Sequence, residues 1–420
     1  MKEENQIKNW RPNIYLFLFS QFFSGITSMI VQYSIIWYLT KQTESASILS
    51  IATLLGMLPA VILSPFIGPF VDRTNKKALL VIPDVIAAIF AIILSVVGFL
   101  SHDFPIWLIF ISLLIRSIAQ TFQMPTIQSI FPTMIPSEQL TKINGQLGMV
   151  QSANFIIAPA LGAFLFSIIS MPLLILFDVL GAIIAVFFII FLVKIPEFPH
   201  IDDHVHILAD AKFGLKQLYS KKGIWNITLM GTFFTLAFMP AVSMFPLMTM
   251  SYFKGSVMEA GLIEVVYSIG SLLGGAIIGF FGNWKDRIKP ITWSIFIIGI
   301  SMGWSAFLPP NHVGYVWFAI LNVFGGISAP FFNTLLMAII QQSYPAKNLG
   351  KILGIMNSLM SLAGPVGLIF AGPLADKIGV NNLFVIAGIG TLLCGFFVTF
   401  NKSIKEYDKN LQEELKQKTL

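Results

Sequence analysis

Twelve apolar runs, most of them long enough for a helix to cross a bilayer, constrain this chain more than any other feature. A hydrocarbon core of about 30 Å takes about 20 apolar residues in helical form. Such runs fall at 14–40, 46–71, 78–100, 105–131, 141–169 and 172–193, then at 223–250, 257–282, 290–308, 313–342, 350–374 and 381–400. Only 11% of the 420 residues are charged, while 56% are apolar. A soluble domain carries about twice that share of charge, so lipid is the solvent this composition requires. The expectation is an all-α membrane protein with twelve transmembrane helices.

Twelve is even, so both termini lie on one side. With that side as the cytoplasm, 22 of the 26 Lys and Arg fall in cytoplasmic segments; Lys41, Lys254 and Lys377 fall outside, and Arg116 lies within a span. The inverted arrangement violates the positive-inside rule. The chain is therefore expected in the cell membrane, multi-pass, with both ends cytoplasmic. The net charge of +6 belongs to these loops and implies no nucleic-acid partner. A single cysteine, Cys394, excludes a disulfide within the chain. The first run is too long for the apolar region of a signal peptide.

The halves repeat. Gly68-Pro-Phe-Val-Asp72-Arg73-Thr-Asn-Lys76-Lys77 closes the second run, and Gly282-Asn-Trp-Lys-Asp286-Arg287 closes the eighth, 214 positions on. A second frame, P-x-x-x-L-x-K-I-x-G, starts at Pro136 and again at Pro345, an offset of 209. Six spans separate the copies, so both sit at the same membrane face and the repeats are parallel. The expected organisation is a six-helix bundle over 1–194, a cytoplasmic linker over 195–222, a second bundle over 223–402 and a tail over 403–420. The linker places Leu208, Ala211, Leu215 and Leu218 on one helical face, which suits either the inner leaflet or a soluble amphipathic helix. His200, His204 and His206 stand within seven residues, but a loop of that composition reads first as solvated polar chain, and no metal is expected. The tail mixes five lysines with four acids and reads as a solvated helix or as disorder.

With twelve spans, a duplication into six plus six and the Gly68–Lys77 hinge, the chain resembles the major facilitator superfamily. Within it, the chain resembles the macrolide-efflux branch of drug/proton antiporters. The stretches that carry this are Leu39–Ala46, Ile115-Arg116-Ser-Ile, Glu138–Lys142, Phe177-Asp178-Val-Leu-Gly181-Ala and Ala363–Asp376. The antiporter pattern R-x-x-x-G in span four has Gln120 where the glycine stands, and the glycine-rich pattern of span five reads Asn154-Phe-Ile-Ile-Ala158-Pro159-Ala-Leu-Gly162. The resemblance implies that Gly68, Asp72, Arg73, Lys76 and Lys77, with the echo Gly282, Asp286 and Arg287, form conformational hinges. It implies that Asp72 engages the start of run eleven in one state and that Asp286 is its counterpart at run five. It also implies a role for Arg116 in proton coupling.

Four ionisable residues fall inside spans: Asp84, Arg116, Asp178 and Glu264. Each is costly in lipid and needs a partner or a cavity. Asp84, near Arg73 and Lys77 in sequence, is expected in a structural ion pair. Arg116 and Asp178 are candidates for proton coupling, with a buried structural pair as the alternative reading. Glu264, flanked by apolar residues in the eighth span, is the foremost candidate proton carrier. Gln21, Ser24, Thr27, Ser28 and Gln32 offer uncharged polar groups, and Tyr33, Trp37, Phe122, Met239 and Phe245 offer aromatic and soft surface. Of these, Gln21, Gln32, Trp37 and Phe122, together with Gln120, are the candidate substrate contacts, suited to a bulky and weakly polar molecule.

These features point to a monomeric secondary-active exporter of lipophilic, macrolide-like drugs by proton antiport and alternating access, with no cofactor. No phosphate-binding G-x-x-x-x-G-K-[ST] loop is present, so ATP drive from this chain is not expected. The alternatives are a facilitator or importer of another small molecule, or a membrane subunit working with a separate ATPase. An enzyme is not expected, because no span holds a nucleophile and base together.

Overall fold

The computed structural model describes residues 10–101, 104–136, 139–195, 207–281 and 286–419. Every regular element among them is helical. This follows from the solvent: in hydrocarbon each backbone N–H and C=O must bond within its own segment, which a helix does. Eleven helical segments are long and apolar enough to span a membrane. The ninth apolar run lies in a helix of 18 residues, Ile288–Ser305, which takes in Lys289 and Pro290 at one end and is not among the eleven. The helical segments and family membership, established below, agree with the expected twelve-helix fold.

The helices bury only 28–50% of each spanning window. Their outward faces carry large apolar groups such as Leu100, Phe191, Phe280 and Phe400 at 72–85% exposure. Aqueous proteins do not tolerate apolar surface on that scale, and lipid removes the penalty.

The chain divides into two compact units. One takes the described residues up to 42 and from 52 to 195; the other takes 43–51 and 207 onward. The first unit contains α1 (Trp10–Thr43), most of α2 (Ala46–Arg73), α3 (Lys76–Ser101), α4 (Ile106–Thr121), α5 (Gln123–Met134), α6 (Leu140–Ile168), α7 (Met171–Ile175) and α8 (Phe177–Phe187), which runs on into a π-helical turn, Phe188–Leu192. The fourth span breaks at Phe122, between α4 and α5. Pro125 explains the break, since its ring cannot pack over the carbonyl of Thr121 in a continuous helix. A core of Ile14, Phe17, Ile127, Ile130, Phe131, Ile143 and Ile189 ties α1, α5, α6 and the π turn together.

The second unit contains α9 (Ile207–Ser220), α10 (Lys222–Ser243), α11 (Phe245–Leu247), a π turn at Met248–Tyr252, α12 (Val257–Phe281), α13 (Ile288–Ser305), α14 (His312–Ser343), α15 (Ala346–Ile378), α16 (Val380–Phe400) and α17 (Lys402–Thr419). The helix α12 opens with a reciprocal cap: the Ser256 N–H and hydroxyl donate to Glu259, and the Glu259 N–H donates to Ser256 Oγ. Glycines set how closely it meets α14. A Cβ on Gly274 would lie 2.1 Å from the Ile327 carbonyl oxygen, and one on Gly270 2.6 Å from that of Val323. Gly270 and Gly274 are the small-xxx-small spacing by which membrane helices approach. Phe245 sits at the centre, with its ring 5.7–6.2 Å from those of Phe318, Phe384 and Tyr267.

At the end of α15, the Asp376 carboxylate accepts from the backbone N–H of Ala46 at 2.6 Å and Ser47 at 3.0 Å, and from Ser45 Oγ at 3.1 Å. It thereby satisfies the orphan donors that open α2.

Two expectations about peripheral helices change. In α9 the buried face is Gly214 and Leu218, while Leu215 is 43% exposed. Gly214 packs on the Lys351 carbonyl, and the Gln217 carbonyl accepts from Tyr344 Oη at 3.0 Å, so α9 packs within the second unit through Gly214, Gln217 and the stripe residue Leu218; the side chains of Leu208 and Ala211 lie outside the described residues. The tail is neither free nor disordered over α17. Ile404, Asp408 and Leu411 are buried at 2–8% exposure, one face of a helix laid against α10, α13 and α14.

Candidate functional site

The first unit holds a buried polar centre built on one face of α1. Arg116 on α4 and Asp178 on α8 are both fully buried and form a direct salt bridge through Nη1 and Oδ2. The second guanidinium nitrogen donates to the Ser28 carbonyl at 3.0 Å. Ser28 Oγ donates to the other oxygen of Asp178 at 2.9 Å. Gly181, one turn beyond Asp178, is why α8 can reach α1: a Cβ there would lie 1.8 Å from Thr27 Oγ1. Two charges withdrawn from water need pairing and further hydrogen bonds, and Ser28 bonds to both partners of this pair. Arg116 Nε is buried without an acceptor.

One turn away on the same helix, Ser24 Oγ donates to Asp84 Oδ1 at 3.1 Å. Gln123 Nε2 donates to the same oxygen at 2.7 Å. The expected ion pair of Asp84 is absent among the described residues. Lys76 donates instead to the Val71 carbonyl, and Lys77 to that of Ile190 at 2.9 Å. Both lysines thus serve carbonyl oxygens near the hinge end of their helices.

In the second unit, Glu264 on α12 is half-buried and has no hydrogen bond or ion pair among the described residues. The second hinge copy is occupied locally. Asp286 Oδ1 accepts from the N–H of Ile288 at 3.1 Å and Lys289 at 3.2 Å and so caps α13. Arg287, 5% exposed, binds Asp408 through its backbone N–H at 3.1 Å, Nε at 2.9 Å and Nη2 at 2.6 Å. Its Nη1 donates to Gln342 Oε1 at 2.7 Å. One guanidinium therefore joins the start of α13, the end of α14 and the tail helix α17.

With this geometry in view, comparison with known proteins is decisive on family. The profile described as Major Facilitator Superfamily matches residues 17–317 and 227–420. The chain belongs to the Major Facilitator Superfamily. It is a membrane transporter and not an enzyme. It is 37% identical over 385 residues to macrolide efflux protein A of Streptococcus pyogenes, covering 90% of this chain and 93% of that protein. It is 36% identical over 329 residues to macrolide efflux protein A of Enterococcus faecalis, covering 77% of this chain and 99% of the relative. The multidrug efflux pump Tap of Mycolicibacterium fortuitum is 25% identical over 411 residues, covering 95% and 98%. Among solved structures, a mutant of the nucleoside transporter NupG superposes with a TM-score of 0.74 at 16% identity, covering 94% of this chain and 100% of that one. An inward-facing bacterial homologue of the iron transporter ferroportin superposes with a TM-score of 0.73 at 13% identity, covering 94% and 98%. The structural likeness speaks to fold alone.

The remaining candidates of this superfamily member fall in varied places. Gln21 and Gln32 are half-buried on α1, with Gln32 beside Gly56 of α2. Trp37 is fully buried and stacks on Tyr33 with ring centroids 5.5 Å apart. Gln120 is exposed, and Phe122 sits in the break of span four with its ring 5.3 Å from that of Phe70. The side chains of Gly68, Asp72 and Arg73, and all of Gly282 and the His200–His206 cluster, lie outside the described residues. Among the described residues, no group of three His, Cys, Asp or Glu is arranged to hold a metal. An apolar cleft of about 710 Å³ between α10, α15 and α16 is lined by Phe233 and Phe370, themselves 60% and 70% exposed. It therefore lies on the surface that lipid would cover. The Ser24–Asp84–Gln123 cluster is what sequence reasoning missed. Its one legible signal was an acid in a span with two uncharged polar residues on neighbouring spans.

Proposed function

We propose that this chain exports lipophilic drugs of macrolide type from the cytoplasm by proton antiport and alternating access. One observation carries the drug-export reading: the likeness to macrolide efflux protein A extends over 90% of the chain at 37% identity. The proton-coupling part is supported by the buried charges of the first unit, since intramembrane ionisable groups are retained at a cost and mark ion or proton pathways. Arg116, Asp178 and Glu264 are the proposed coupling groups; Gln21, Gln32, Trp37, Gln120 and Phe122 are the proposed substrate contacts. The chain acts as a monomer in the cell membrane with both termini in the cytoplasm.

The thermodynamics suffice. One charge crossing 100 mV yields about 2.3 kcal/mol, which sustains roughly a fiftyfold drug gradient. The test is accumulation of a labelled macrolide in an efflux-deficient host, with and without an uncoupler. Lower accumulation in expressing cells, abolished by the uncoupler, is expected. Low accumulation that persists with the uncoupler but is lost on ATP depletion would replace this reading by one with a separate ATPase.

A further inference from the structure

The two buried acids of the first unit are held in opposite ways. Asp178 is complete: Arg116 occupies one oxygen and Ser28 the other, and the guanidinium balances its charge. Asp84 is not. Both of its donors, Ser24 and Gln123, converge on Oδ1, while Oδ2 is buried with no hydrogen-bond partner. The residue is only 6% exposed. A buried polar atom in that position normally has a partner, and a buried carboxylate normally has a cation.

Among the described residues, the neighbouring elements supply none. The helix α1 presents Ser24 and α5 presents Gln123. On α4 and α8 the charged groups are Arg116 and Asp178, committed to each other. On its own helix, Lys76 and Lys77 donate to carbonyl oxygens. The one addition that completes this site without disturbing it is a proton on Oδ2. The carboxylate and a proton from water give a neutral acid, and Oδ1 becomes its carbonyl oxygen, still able to accept from Ser24 and Gln123. Release returns the proton to water and restores the carboxylate.

We propose that Asp84 is a proton-binding site of the first unit, loaded on Oδ2, beside the Arg116–Asp178 pair. The two are linked through α1, because Ser24 and Ser28 stand one turn apart and each serves one acid. This rests on the proton-antiport reading for its role in transport, though not for the existence of the site.

The experiment pairs a spectroscopic and a transport readout on the purified full chain. Infrared difference spectra across a pH titration in proteoliposomes should show the carbonyl stretch of a protonated carboxylic acid, missing in Asp84→Asn. Asp178→Asn should leave that band in place. Ser24→Ala, which removes one donor to Oδ1, should move the pH at which the band disappears, and it serves if Asp84→Asn folds poorly. In the same vesicles, uptake of a labelled macrolide driven by a pH gradient should slow at least tenfold in Asp84→Asn. A spectrum that Asp84→Asn leaves unchanged, or one whose acid band is lost in Asp178→Asn instead, overturns the site. An Asp84-dependent band in a wild-type protein that shows no gradient-driven uptake keeps the site and defeats the antiport reading.

Discussion

Separating Arg116 from Asp178 should cost far more than removing both. Both side chains are 2% exposed, so truncating either leaves a full charge in the interior of the bundle. The penalty for breaking a buried pair from one side is about 3–5 kcal/mol, whereas replacing both partners with apolar residues of similar size is near neutral. Arg116→Met should forfeit the bonds to Asp178 and to the Ser28 carbonyl and leave Asp178 with Ser28 alone. Asp178→Leu should leave the guanidinium with one neutral acceptor, the Ser28 carbonyl. Each single variant should therefore lose about 3 kcal/mol or more, and the double variant about 1 kcal/mol, giving a coupling of several kcal/mol. That magnitude discriminates, because an ordinary hydrogen bond between membrane helices averages about 0.6 kcal/mol in such cycles. The assay is equilibrium unfolding in mixed micelles for the four proteins of the cycle. A coupling below about 1 kcal/mol would mean that water or another group compensates each charge, and the buried-pair description would have to be given up.

Three other perturbations test separate parts of the structure. Asp408→Ala should unclamp the tail, since it removes every carboxylate contact of the buried Arg287, and trypsin should then cut at Lys402, Lys405 and Lys409 several times faster than in wild type. Asp376→Ala should expose the first amides of α2, so hydrogen exchange at Ala46 and Ser47 should accelerate at least tenfold while the core of α15 stays protected. Gly274→Leu should abolish the folded monomer in detergent, because even a Cβ there overlaps the Ile327 carbonyl at 2.1 Å, whereas the adjacent Gly275→Leu, where a Cβ meets nothing within 4 Å, should be tolerated. Equal behaviour of the two glycine variants in size-exclusion profiles would refute the close α12–α14 contact.

What sequence reasoning could reach follows the range of the forces involved. The spans were legible because burial in lipid acts on every residue of a run, so the signal adds over about 20 positions. The Arg116–Asp178 pair was legible as one of two readings, because few charges lie in the spans and few pairings exist. The surroundings of Asp84 were not. Charge balance along the chain favoured Arg73 and Lys77, but helical geometry sent Lys77 to the Ile190 carbonyl and brought in Ser24 and Gln123 from two other spans. Uncharged donors of that kind leave no mark on a hydropathy pattern. The docking of α17 was hidden for a related reason. Among the described side chains its buried apolar face is Ile404 and Leu411, diluted among nine charges, and the residue that fixes it is an acid that any composition rule would leave in water.

The second copy of the hinge is fastened to the tail that follows the last span. Both copies end in Asp-Arg, and the second arginine is bound by Asp408 of a tail helix that follows the twelfth span. A guanidinium 5% exposed, with bonds to one carboxylate and to Gln342, can exchange partners only by passing through an uncompensated buried state. Repeated cycling through such a state is a poor basis for a fast conformational step. Asp286, meanwhile, is half-solvated and spent on the start of its own helix, so its release costs little. If the second copy moves at all during transport, α13, α17 and the end of α14 should move with it as one body. A spin label on α17 should then hold its distance to one on α13 while substrate is cycled, and a change in that distance would show that the Arg287–Asp408 bond opens within the cycle.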